Sequence, residues 1–440
     1  MCDNMVRVYV SDVRPSLDGN VVSIYGWIES IRDLGSLKFV VLRDMTGTVQ
    51  LVVKKGVVSE SVANVVGGLS REYAVKVRGT VKKNDKAPGG REIVPQEIIV
   101  VEKSDSTFPT DMTDKTKSHL DTRLDWRSLD LRNVKNAAVF RLQSKIVNAM
   151  HDYFDSNGFV HVFTPSIMGN ATESGSEVFP VVYFNKQAFL RQDPQLHRQL
   201  TIAGGLDKIY EIGPSWRAEL SHTQRHLCEH RTCAAEIAFI ENEYDIIKME
   251  ESMIVHVFNK LKTEAAEELK TLGVEINIPQ MPFPIIEFPE LYGILESLGK
   301  KLKAGEDMDT EAEKLLSQYV MDKYKSEFYF VNKFPFALKP FYVMRDGETE
   351  FARSVDLYYK GVEMSSGGQR ENRYDNLMQN IAVKKLDPSS LEWFTKFFKF
   401  AIPPHGGFSI GIERLTKQIA GLENVREAVL FPRDPERLVP

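Results

Sequence analysis

Short apolar and β-branched runs alternate with turn residues between residue 5 and about residue 103. Such runs, bounded by Gly, Asp and Ser, are typical of β-strands. The predicted strands occupy residues 21–28, 38–43, 49–53, 73–81 and 92–101. Five short strands in about 100 residues predict a small closed barrel, for which the OB-fold is the commonest five-stranded solution.

The pattern changes after the last of these runs. Residues 102–132 are polar and have no clear periodicity, which indicates a hinge or linker. A helical period then begins near residue 138, with apolar residues on one face at Val139, Leu142, Ile146 and Met150. Further on, Asp193-Pro194 predicts the N-cap and first position of another helix.

Strands and helices occupy separate stretches of the remaining chain. Strand-like runs dominate 206–245 and 328–370, and helical patterns fill much of 246–272 and 308–326. Because strands and helices do not alternate as βαβ units, we predict an α+β domain with an antiparallel sheet. The predicted organisation is, in chain order, a barrel domain at 1–105, a hinge at 106–132 and an α+β domain at 133–440.

Composition and charge narrow the class of protein. The chain is 42% hydrophobic and 27% charged, which is typical of a globular protein. The net charge of −5 excludes a uniformly basic nucleic-acid coat, although a local basic surface stays possible. No apolar run reaches the ~18 residues of a membrane span, and the N-terminus has no apolar signal segment. Three cysteines cannot build a disulfide framework, so we expect a cytoplasmic protein without a membrane partner.

One candidate site follows a predicted strand. Trp216-Arg217-Ala218-Glu219 precedes Thr223-Gln224-Arg225-His226. An arginine fork matches phosphate oxygens, and a carboxylate can accept a hydrogen bond from an exocyclic amine. The segment therefore suggests nucleotide binding, although the same residues alone are also typical of a surface salt-bridge network.

A second candidate is the glycine-rich segment 406–415. A glycine-rich turn lets the backbone approach a nucleotide, and Arg414 at the start of a helix could pair with phosphate. The alternative is a tight turn with close helix packing.

A third candidate pairs Asp356 with Glu363 around a predicted strand turn, followed by residues 365–370. Carboxylates on adjacent antiparallel strands can converge on a Mg²⁺ that also holds substrate phosphates. An exposed hairpin is the alternative.

Histidine and cysteine residues also cluster near the first candidate, at His222, His226, Cys228, His230 and Cys233. Such a cluster suggests zinc. However, the segment has no Cys-x2-Cys pair and overlaps the predicted nucleotide site, so zinc is the less favoured interpretation.

Taken together, the three candidates resemble the signature motifs of class II aminoacyl-tRNA synthetases, and most closely the aspartyl-tRNA synthetases of the archaeal and eukaryotic cytosolic type. The resemblance extends over nearly the whole chain. Other segments that carry it are 26–27, 43–47, 121–125, 171–175, 225–227, 365–370 and 431–434.

The resemblance implies an OB-fold anticodon-binding domain at 1–105 and a class II catalytic domain at 133–440. It implies ATP-dependent attachment of L-aspartate to tRNA(Asp) through an aspartyl-adenylate, with Mg²⁺, by a cytoplasmic homodimer. Some relatives of this type also charge tRNA(Asn), and Pro88 lies where such members often have proline. The alternatives are an RNA-binding paralogue that has lost amino-acid activation and a ligase for asparagine.

The resemblance also assigns residues to ATP. The catalytic residues would be Arg217, Glu219 and Arg414. The residues implied to bind ATP are Arg217, Ala218, Glu219, Arg225, His226, Leu227, Glu363, Gly411, Ile412, Glu413 and Arg414. The implied Mg²⁺ ligands are Glu363, Ser366 and Asp356.

Aspartate, tRNA and the partner subunit are assigned in the same way. The residues implied to bind aspartate are Glu173, Gln195, Arg198, Arg217, Ser366 and Arg370. The anticodon would contact Phe39 by base stacking, and also Gln50, Arg32 and Pro88. Pro165 would lie at the dimer interface.

The amino-acid pocket departs from the family pattern, whereas the ATP-binding residues keep it. Asp193 stands where the family usually has serine, and Arg198 stands where it has lysine. Ala234 replaces a usual aspartate that accepts from the substrate ammonium, and Ser409 replaces a glycine. At position 198 the charge is kept, but its reach and geometry change.

Overall fold

The computed structural model describes residues 6–105, 107–113, 118–169, 178–218, 220 and 223–440. The chain divides into two compact units, Met1–Ala137 and Ala138–Pro440. Each unit has its own hydrophobic core, so we describe the two separately.

The first unit contains a closed barrel with strand order β1-β2-β3-β5-β4. Its elements are β1 (Val21–Asp33), β2 (Leu37–Asp44), β3 (Gly47–Lys54), α1 (Glu60–Gly67), β4 (Ala74–Lys83) and β5 (Arg91–Glu102). Neighbouring strands are antiparallel except for β3 and β5, which are parallel and connected through α1 and β4. The predicted five-stranded barrel is confirmed.

Period-two alternation along the barrel strands separates an apolar interior from a polar outer face. Ile24, Val40, Leu42 and Leu51 point inward and are fully buried. On β2, Phe39 lies between inward-facing positions and is only partly buried. The barrel interior is therefore filled by side chains, and the outer face of the sheet is available for contacts.

Three helices follow the barrel: α2 (Leu120–Asp125), α3 (Arg127–Asp130) and α4 (Val134–Ser156). The first two fall in the segment that the sequence predicts as a hinge, where Arg127 and Asp130 form a buried ion pair with N···O 2.6 Å. The apolar face predicted for α4 is confirmed, since the four residues named for it are all buried.

The second unit is built on an eight-stranded sheet, with a separate sheet of three short strands. The strands are β6 (Val160–His161), β7 (Ile167–Met168), β8 (Pro180–Tyr183), β9 (Lys186–Leu190), β10 (Lys208–Trp216), β11 (Glu229–Ala238), β12 (Ile285–Glu287), β13 (Phe328–Asn332), β14 (Ser354–Tyr359), β15 (Val362–Arg370) and β16 (His405–Gly411). The helices are α5 (Gln195–Ala203), α6 (Tyr244–Glu264), α7 (Ala266–Leu272), α8 (Phe288–Ser297), α9 (Thr310–Tyr324), α10 (Tyr374–Val383), α11 (Glu392–Thr395) and α12 (Ile412–Ala420).

The large sheet has the order β12-β13-β14-β15-β16-β11-β10-β6. Its six central strands pair antiparallel, as predicted. The two edge strands, β12 and β6, pair parallel with their neighbours. They are only two and three residues long, so the sequence carries too little periodicity to predict them. The α+β class is confirmed, with a mixed sheet flanked by helices.

The two faces of this sheet differ in chemistry. One face packs against α4 and α6 in the main apolar core, where Cys233, Ala235, Phe408 and Ile410 are buried. The residues that alternate with them point to the other face and are mostly polar or glycine. The active-site candidates lie on that polar face.

Candidate active site

A cavity of about 250 Å³ opens over the polar face of the sheet in the second unit. Among the described residues, five cationic side chains line it, at Arg217, Arg225, Lys339, Arg370 and Arg414. The lining carboxylates are Asp193, Glu363 and Glu413. A cavity with this many cations is suited to a ligand that carries several negative charges.

One row of register partners crosses the floor of the cavity. Asp356 pairs with Ser366, Ser366 with Ser409, and Ser409 with Ala234. Directly opposed residues of antiparallel strands point to the same face, so these four side chains share the cavity side of the sheet. Ser366 and Ser409 line the cavity, so two hydroxyl groups face it.

Arg414 connects the glycine-rich turn to β15. Its Nη1 donates to the backbone oxygen of Glu363 at 2.7 Å and to the Glu363 carboxylate at 3.2 Å. Gly411 is the N-cap of α12, so Arg414 lies in the first helical turn, as the sequence predicts. The contact brings two of the three candidate segments together.

Glu413 and Ile412, the residues just before Arg414, have different surroundings. Both carboxylate oxygens of Glu413 accept from the backbone N–H of Arg231, at 3.0 and 3.1 Å. Burial raises the pKa of Glu413 above its usual value, although that backbone hydrogen bond and the Arg231 charge oppose the rise. Ile412 is buried in the apolar core beneath the sheet, so its side chain does not face the cavity.

The segment after β10 supplies two further cations, Arg217 and Arg225. Arg225 donates through Nη1 to Glu313 of α9 at 2.7 Å, and the Nδ1 of His226 lies 2.6 Å from the Thr223 hydroxyl. Arg217 is exposed at the cavity wall, and its backbone N–H donates to the oxygen of Cys228. Leu227 also lines the cavity.

Some predicted site residues are not on the cavity wall or lie outside the described residues. Ala218 directly follows Arg217 and is partly buried. Glu219 and Glu173 both lie outside the described residues.

A buried hydrogen-bond network closes the other end of the cavity. Arg370 donates through Nε to Glu236 Oε1 at 2.9 Å and through Nη2 to the oxygen of Gly407 at 3.0 Å. Gln195 donates to Glu236 Oε2 at 3.0 Å and accepts from Arg370 Nη2 at 3.3 Å. A side chain at Gly407 would overlap Glu236, so glycine is required there. The network fixes Arg370 as a cation at the cavity wall.

Arg198 lies behind this network. Its side chain is 1% exposed, and it is not among the described residues that line the cavity. Its Nη2 donates to Asp193 Oδ1 at 2.6 Å and to Gln195 Oε1 at 2.8 Å. Burial alone would lower the pKa of Arg198, but the carboxylates of Asp193, Glu236 and Glu211 raise it above its usual value. The N-cap predicted for Asp193 is wrong: Pro194 is the N-cap of α5, and Asp193 pairs with Arg198.

The acidic strand pair places Asp356 beneath the cavity and Glu363 at its wall. Lys339 Nζ donates to Asp356 Oδ2 at 2.6 Å. Burial raises the pKa of Asp356 to about 6; the Lys339 charge opposes the rise, and the Glu363 charge adds to it. Among the described residues, Asp356 Oδ1 is buried without a hydrogen-bond partner. Carboxylate and hydroxyl oxygens are the donors that Mg²⁺ prefers, so Asp356, Glu363 and Ser366 fit such an ion.

Sequence reasoning missed Lys339 and Glu250. Lys339 lies in a loop without periodicity, so nothing local marks it. Ser365 donates a short hydrogen bond to Glu250 of α6, which is fully buried. Burial raises the pKa of Glu250 to about 8, while the hydrogen bond from Ser365 opposes the rise. A glutamate on the apolar face of α6 is the one sequence signal that could have identified this contact.

The described residues of the possible zinc cluster do not form a metal site. Burial, with the charges of Arg217 and Arg414, lowers the pKa of His230 to about 3. In the described parts of the chain, no three His, Cys, Asp or Glu side chains are grouped to hold a metal ion. His222 lies outside the described residues.

The residues predicted to contact an anticodon lie in the first unit. Arg32 and Phe39 are register partners on β1 and β2, and Val41 pairs with Gln50 on β3. Phe39, Val41 and Gln50 therefore share the outer face of the barrel. Gln50 Nε2 donates to Glu92 at 3.4 Å, and Pro88 begins a short 3₁₀ turn, Pro88–Gly90.

Pro165 lies on an apolar surface of the second unit. It is exposed between Phe163, which is 82% exposed, and Ile167. Val182 of β8 is 93% exposed, and Phe184 in the turn between β8 and β9 is 86% exposed. Exposed apolar residues of this kind are typical of a surface that binds another protein.

Two family models match the chain. One is described as "tRNA synthetases class II (D, K and N)" and matches residues 119–435. The other is described as "OB-fold nucleic acid binding domain" and matches residues 22–101.

Individual relatives match over almost the full length. The aspartate–tRNA(Asp) ligase of Pyrococcus horikoshii is 43% identical over 433 residues, covering 98% of this chain and 99% of the relative. The aspartate–tRNA(Asp/Asn) ligase of Methanopyrus kandleri is 42% identical over 432 residues, with the same coverage.

Solved structures with similar folds include an asparaginyl-tRNA synthetase from Pyrococcus horikoshii complexed with asparaginyl-adenylate. Its TM-score is 0.92 and its identity 31%, and the match covers 99% of this chain and 100% of that one. The aspartyl-tRNA synthetase from Entamoeba histolytica has a TM-score of 0.90 and 29% identity, covering 100% of this chain and 94% of that one.

Proposed function

The chain belongs to the class II tRNA synthetases of the D, K and N group, and on that premise we propose that it is an aspartate–tRNA ligase. The observation that carries the proposal is Arg370, a cation at the cavity wall whose orientation is fixed by Glu236, Gln195 and Gly407. A fixed arginine fork is suited to a substrate side-chain carboxylate. The named aspartate–tRNA ligase relatives support this choice of amino acid.

In the first step, an oxygen of the aspartate α-carboxylate attacks the α-phosphorus of ATP. The bond from that phosphorus to the bridging oxygen breaks, and aspartyl-adenylate and pyrophosphate form. Negative charge develops on the phosphate oxygens, and Arg217, Arg225 and Arg414 line the cavity where they can neutralise it. Catalysis is then positioning and charge neutralisation, without a protein nucleophile.

In the second step, a 3′-terminal hydroxyl of the tRNA attacks the acyl carbon of the adenylate. The acyl–phosphate bond breaks, the ester to tRNA forms, and AMP leaves with the electron pair of that bond. The hydroxyl proton is lost to solvent or to the leaving phosphate. Ser366 and Ser409 line the cavity, where their hydroxyl groups can hydrogen-bond the adenylate.

We propose that Asp356, Glu363 and Ser366 hold Mg²⁺ when ATP binds. Bound there, the ion would neutralise phosphate oxygens of ATP. Its charge would also favour the ionised form of Asp356, which burial otherwise disfavours.

We propose that the outer face of the barrel binds the tRNA anticodon. Phe39 offers an aromatic face for stacking, next to Arg32 as its register partner. Relatives include both Asp and Asp/Asn ligases, so tRNA(Asn) is a second acceptor to be tested alongside tRNA(Asp).

We also propose that the protein is a homodimer that acts in the cytoplasm, where tRNA is charged for protein synthesis. Phe163, Pro165, Val182 and Phe184 are exposed, largely apolar residues that a second copy could cover. None of the helices in the described parts of the chain combines the length and apolar character needed to cross a membrane.

The deciding experiment measures charging of purified tRNA(Asp) and tRNA(Asn) side by side with aspartate. Aspartate-dependent exchange between ATP and pyrophosphate tests the first step alone. We expect exchange with aspartate and none with asparagine, because a neutral amide would face the Arg370 cation. Exchange with asparagine alone would contradict the choice of amino acid.

A second candidate is an RNA-binding paralogue without amino-acid activation. It is motivated by Ala234, which puts a methyl group on the cavity floor, and by Arg198, which is withdrawn from the cavity. Normal tRNA binding without exchange for any amino acid would favour this candidate.

A further inference from the structure

Asp193 lies in the cavity wall immediately before α5, the helix that also carries Gln195. Its side chain is 30% exposed, and Oδ1 accepts from Arg198 Nη2 at 2.6 Å. The described residues supply no hydrogen bond to Oδ2. One oxygen of Asp193 is therefore held in place, and the other is available at the cavity.

The other carboxylates at the cavity already have partners. Both oxygens of Glu413 accept from the Arg231 backbone N–H, and Glu363 pairs with Arg414. The two carboxylate oxygens of Glu236 accept hydrogen bonds from Arg370 and Gln195. Among the described cavity-lining carboxylates, Asp193 and Glu363 each have one oxygen that accepts no hydrogen bond from the described residues. Glu363 is paired with Arg414 at the proposed Mg²⁺ site, so Asp193 is the carboxylate that we consider for a cationic group of the amino acid.

The surroundings place this oxygen at the amino-acid end of the cavity. Gln195 Oε1 accepts from Arg198 Nη2 at 2.8 Å and from Arg370 Nη2 at 3.3 Å. Gln195 therefore connects the Asp193–Arg198 pair with Arg370. Ala234, on the cavity side of the sheet opposite Ser409, carries a methyl group and cannot accept a hydrogen bond from an ammonium group.

We propose that Asp193 binds the α-ammonium group of the amino-acid substrate through Oδ2, and that Arg198 acts as a positioning residue by holding Oδ1. The inference rests on the proposed activation of aspartate. It replaces the expectation that Arg198 contacts aspartate directly, because a guanidinium 1% exposed behind Asp193 does not reach the ligand. Asp193 and Arg198, which both differ from the usual family residues, then act together, because Arg198 orients the side chain of Asp193.

The test compares L-aspartate with succinate, which has hydrogen in place of the ammonium group and keeps both carboxylates. Binding of each to the full chain is measured by calorimetry in the wild type and in D193N. A charge-assisted hydrogen bond of this kind corresponds to about 10- to 100-fold in affinity. We expect D193N to weaken aspartate binding by that factor and to leave succinate binding within about twofold.

A matched control is D152N. Asp152 is a partly exposed aspartate that pairs with Lys260 at 2.9 Å, and it does not line the cavity. D152N should bind both ligands as the wild type does. D193S provides a second variant with a smaller side chain, so that the result does not depend on how one substitution packs.

The role of Arg198 is tested by R198K, which keeps the charge and loses the fork that holds Asp193 and Gln195 together. We expect a partial loss of the preference for aspartate over succinate, with succinate binding unchanged. A structural role alone would weaken both ligands equally.

The outcomes separate the two proposals. A wild type that prefers aspartate, with the preference lost in D193N and D193S, supports the inference. If both variants keep the wild-type preference, Asp193 does not bind the ammonium group, and the proposed function stands. If the wild type shows neither preference nor aspartate-dependent exchange, the proposed function fails and the inference fails with it.

Discussion

Arg414 of α12 donates to both the backbone oxygen and the carboxylate of Glu363, at 2.7 and 3.2 Å. This contact joins a helix N-terminus to the strand that carries a proposed Mg²⁺ ligand. The Glu363 side chain is 39% exposed and the Arg414 side chain 30%. The pair is therefore partly open to solvent at the wall of the cavity in which we propose that ATP binds.

The first prediction concerns E363Q. The neutral amide loses a charged Mg²⁺ ligand while keeping an oxygen that can accept from Arg414. We expect the Mg²⁺ concentration for half-maximal ATP–pyrophosphate exchange to rise by about tenfold or more, because anionic oxygens bind this ion best. Exchange is measured against Mg²⁺ at fixed ATP, and a chelator should abolish it in both proteins. An unchanged Mg²⁺ dependence would contradict the assignment of Glu363.

The second prediction compares two glutamates on β11. E236Q leaves the buried Arg370 without its charged partner, which should lower the free energy of unfolding by about 3 to 5 kcal/mol. E229Q breaks an exposed pair with Arg231 and should cost at most about 1 kcal/mol. Urea unfolding of both variants measures the difference. Equal losses would mean that the Arg370–Glu236 pair is not structurally important.

The third prediction separates the two units. F39A removes the stacking face from the barrel and should raise the KM for tRNA by between about 5- and 150-fold, the equivalent of one stacked base. Exchange between ATP and pyrophosphate should be unchanged, because it needs no tRNA. I99A is the matched control, since Ile99 is an exposed apolar residue on β5 and is 49% exposed. Loss of exchange in F39A would indicate misfolding rather than lost recognition.

The sequence predicts the parts of the fold that periodicity marks. Period-two runs identify the barrel strands, and the helical period identifies the buried face of α4, of which Leu142 and Ile146 are examples. It also predicts Arg414 in a first helical turn, because a glycine-rich strand end precedes it. Local pattern was sufficient in each case.

Contacts between distant segments could not be predicted in this way. Glu250 and Ser365 are 115 residues apart, and their hydrogen bond depends on α6 packing beneath β15. Lys339 reaches Asp356 from a loop without regular pattern. The partner of Asp193 is only five residues away, yet a helix cap was the stronger local expectation for Asp-Pro. Tertiary packing decided these three contacts.

The fourth prediction concerns pH and the buried Glu250. Its pKa is raised from 4.5 to about 8 by burial, with the Asp356 charge adding to the rise and the hydrogen bond from Ser365 opposing it. Between these two values the folded chain binds a proton at Glu250 that the unfolded chain has lost. Stability must therefore fall as pH rises through this window, by at most about 1.4 kcal/mol per pH unit from this group. Below pH 4.5 and above about pH 8 the contribution is constant.

E250Q removes this titration and keeps an oxygen that can accept from Ser365. We expect the stability difference between E250Q and the wild type to shift in favour of the variant as pH rises from 5 to 8. The measurement is the urea midpoint of both proteins at half-unit steps of pH. E264Q is the control, because Glu264 is a 49%-exposed glutamate on the same helix. A pH-independent difference for E250Q would mean that Glu250 is ionised in the folded protein throughout the window.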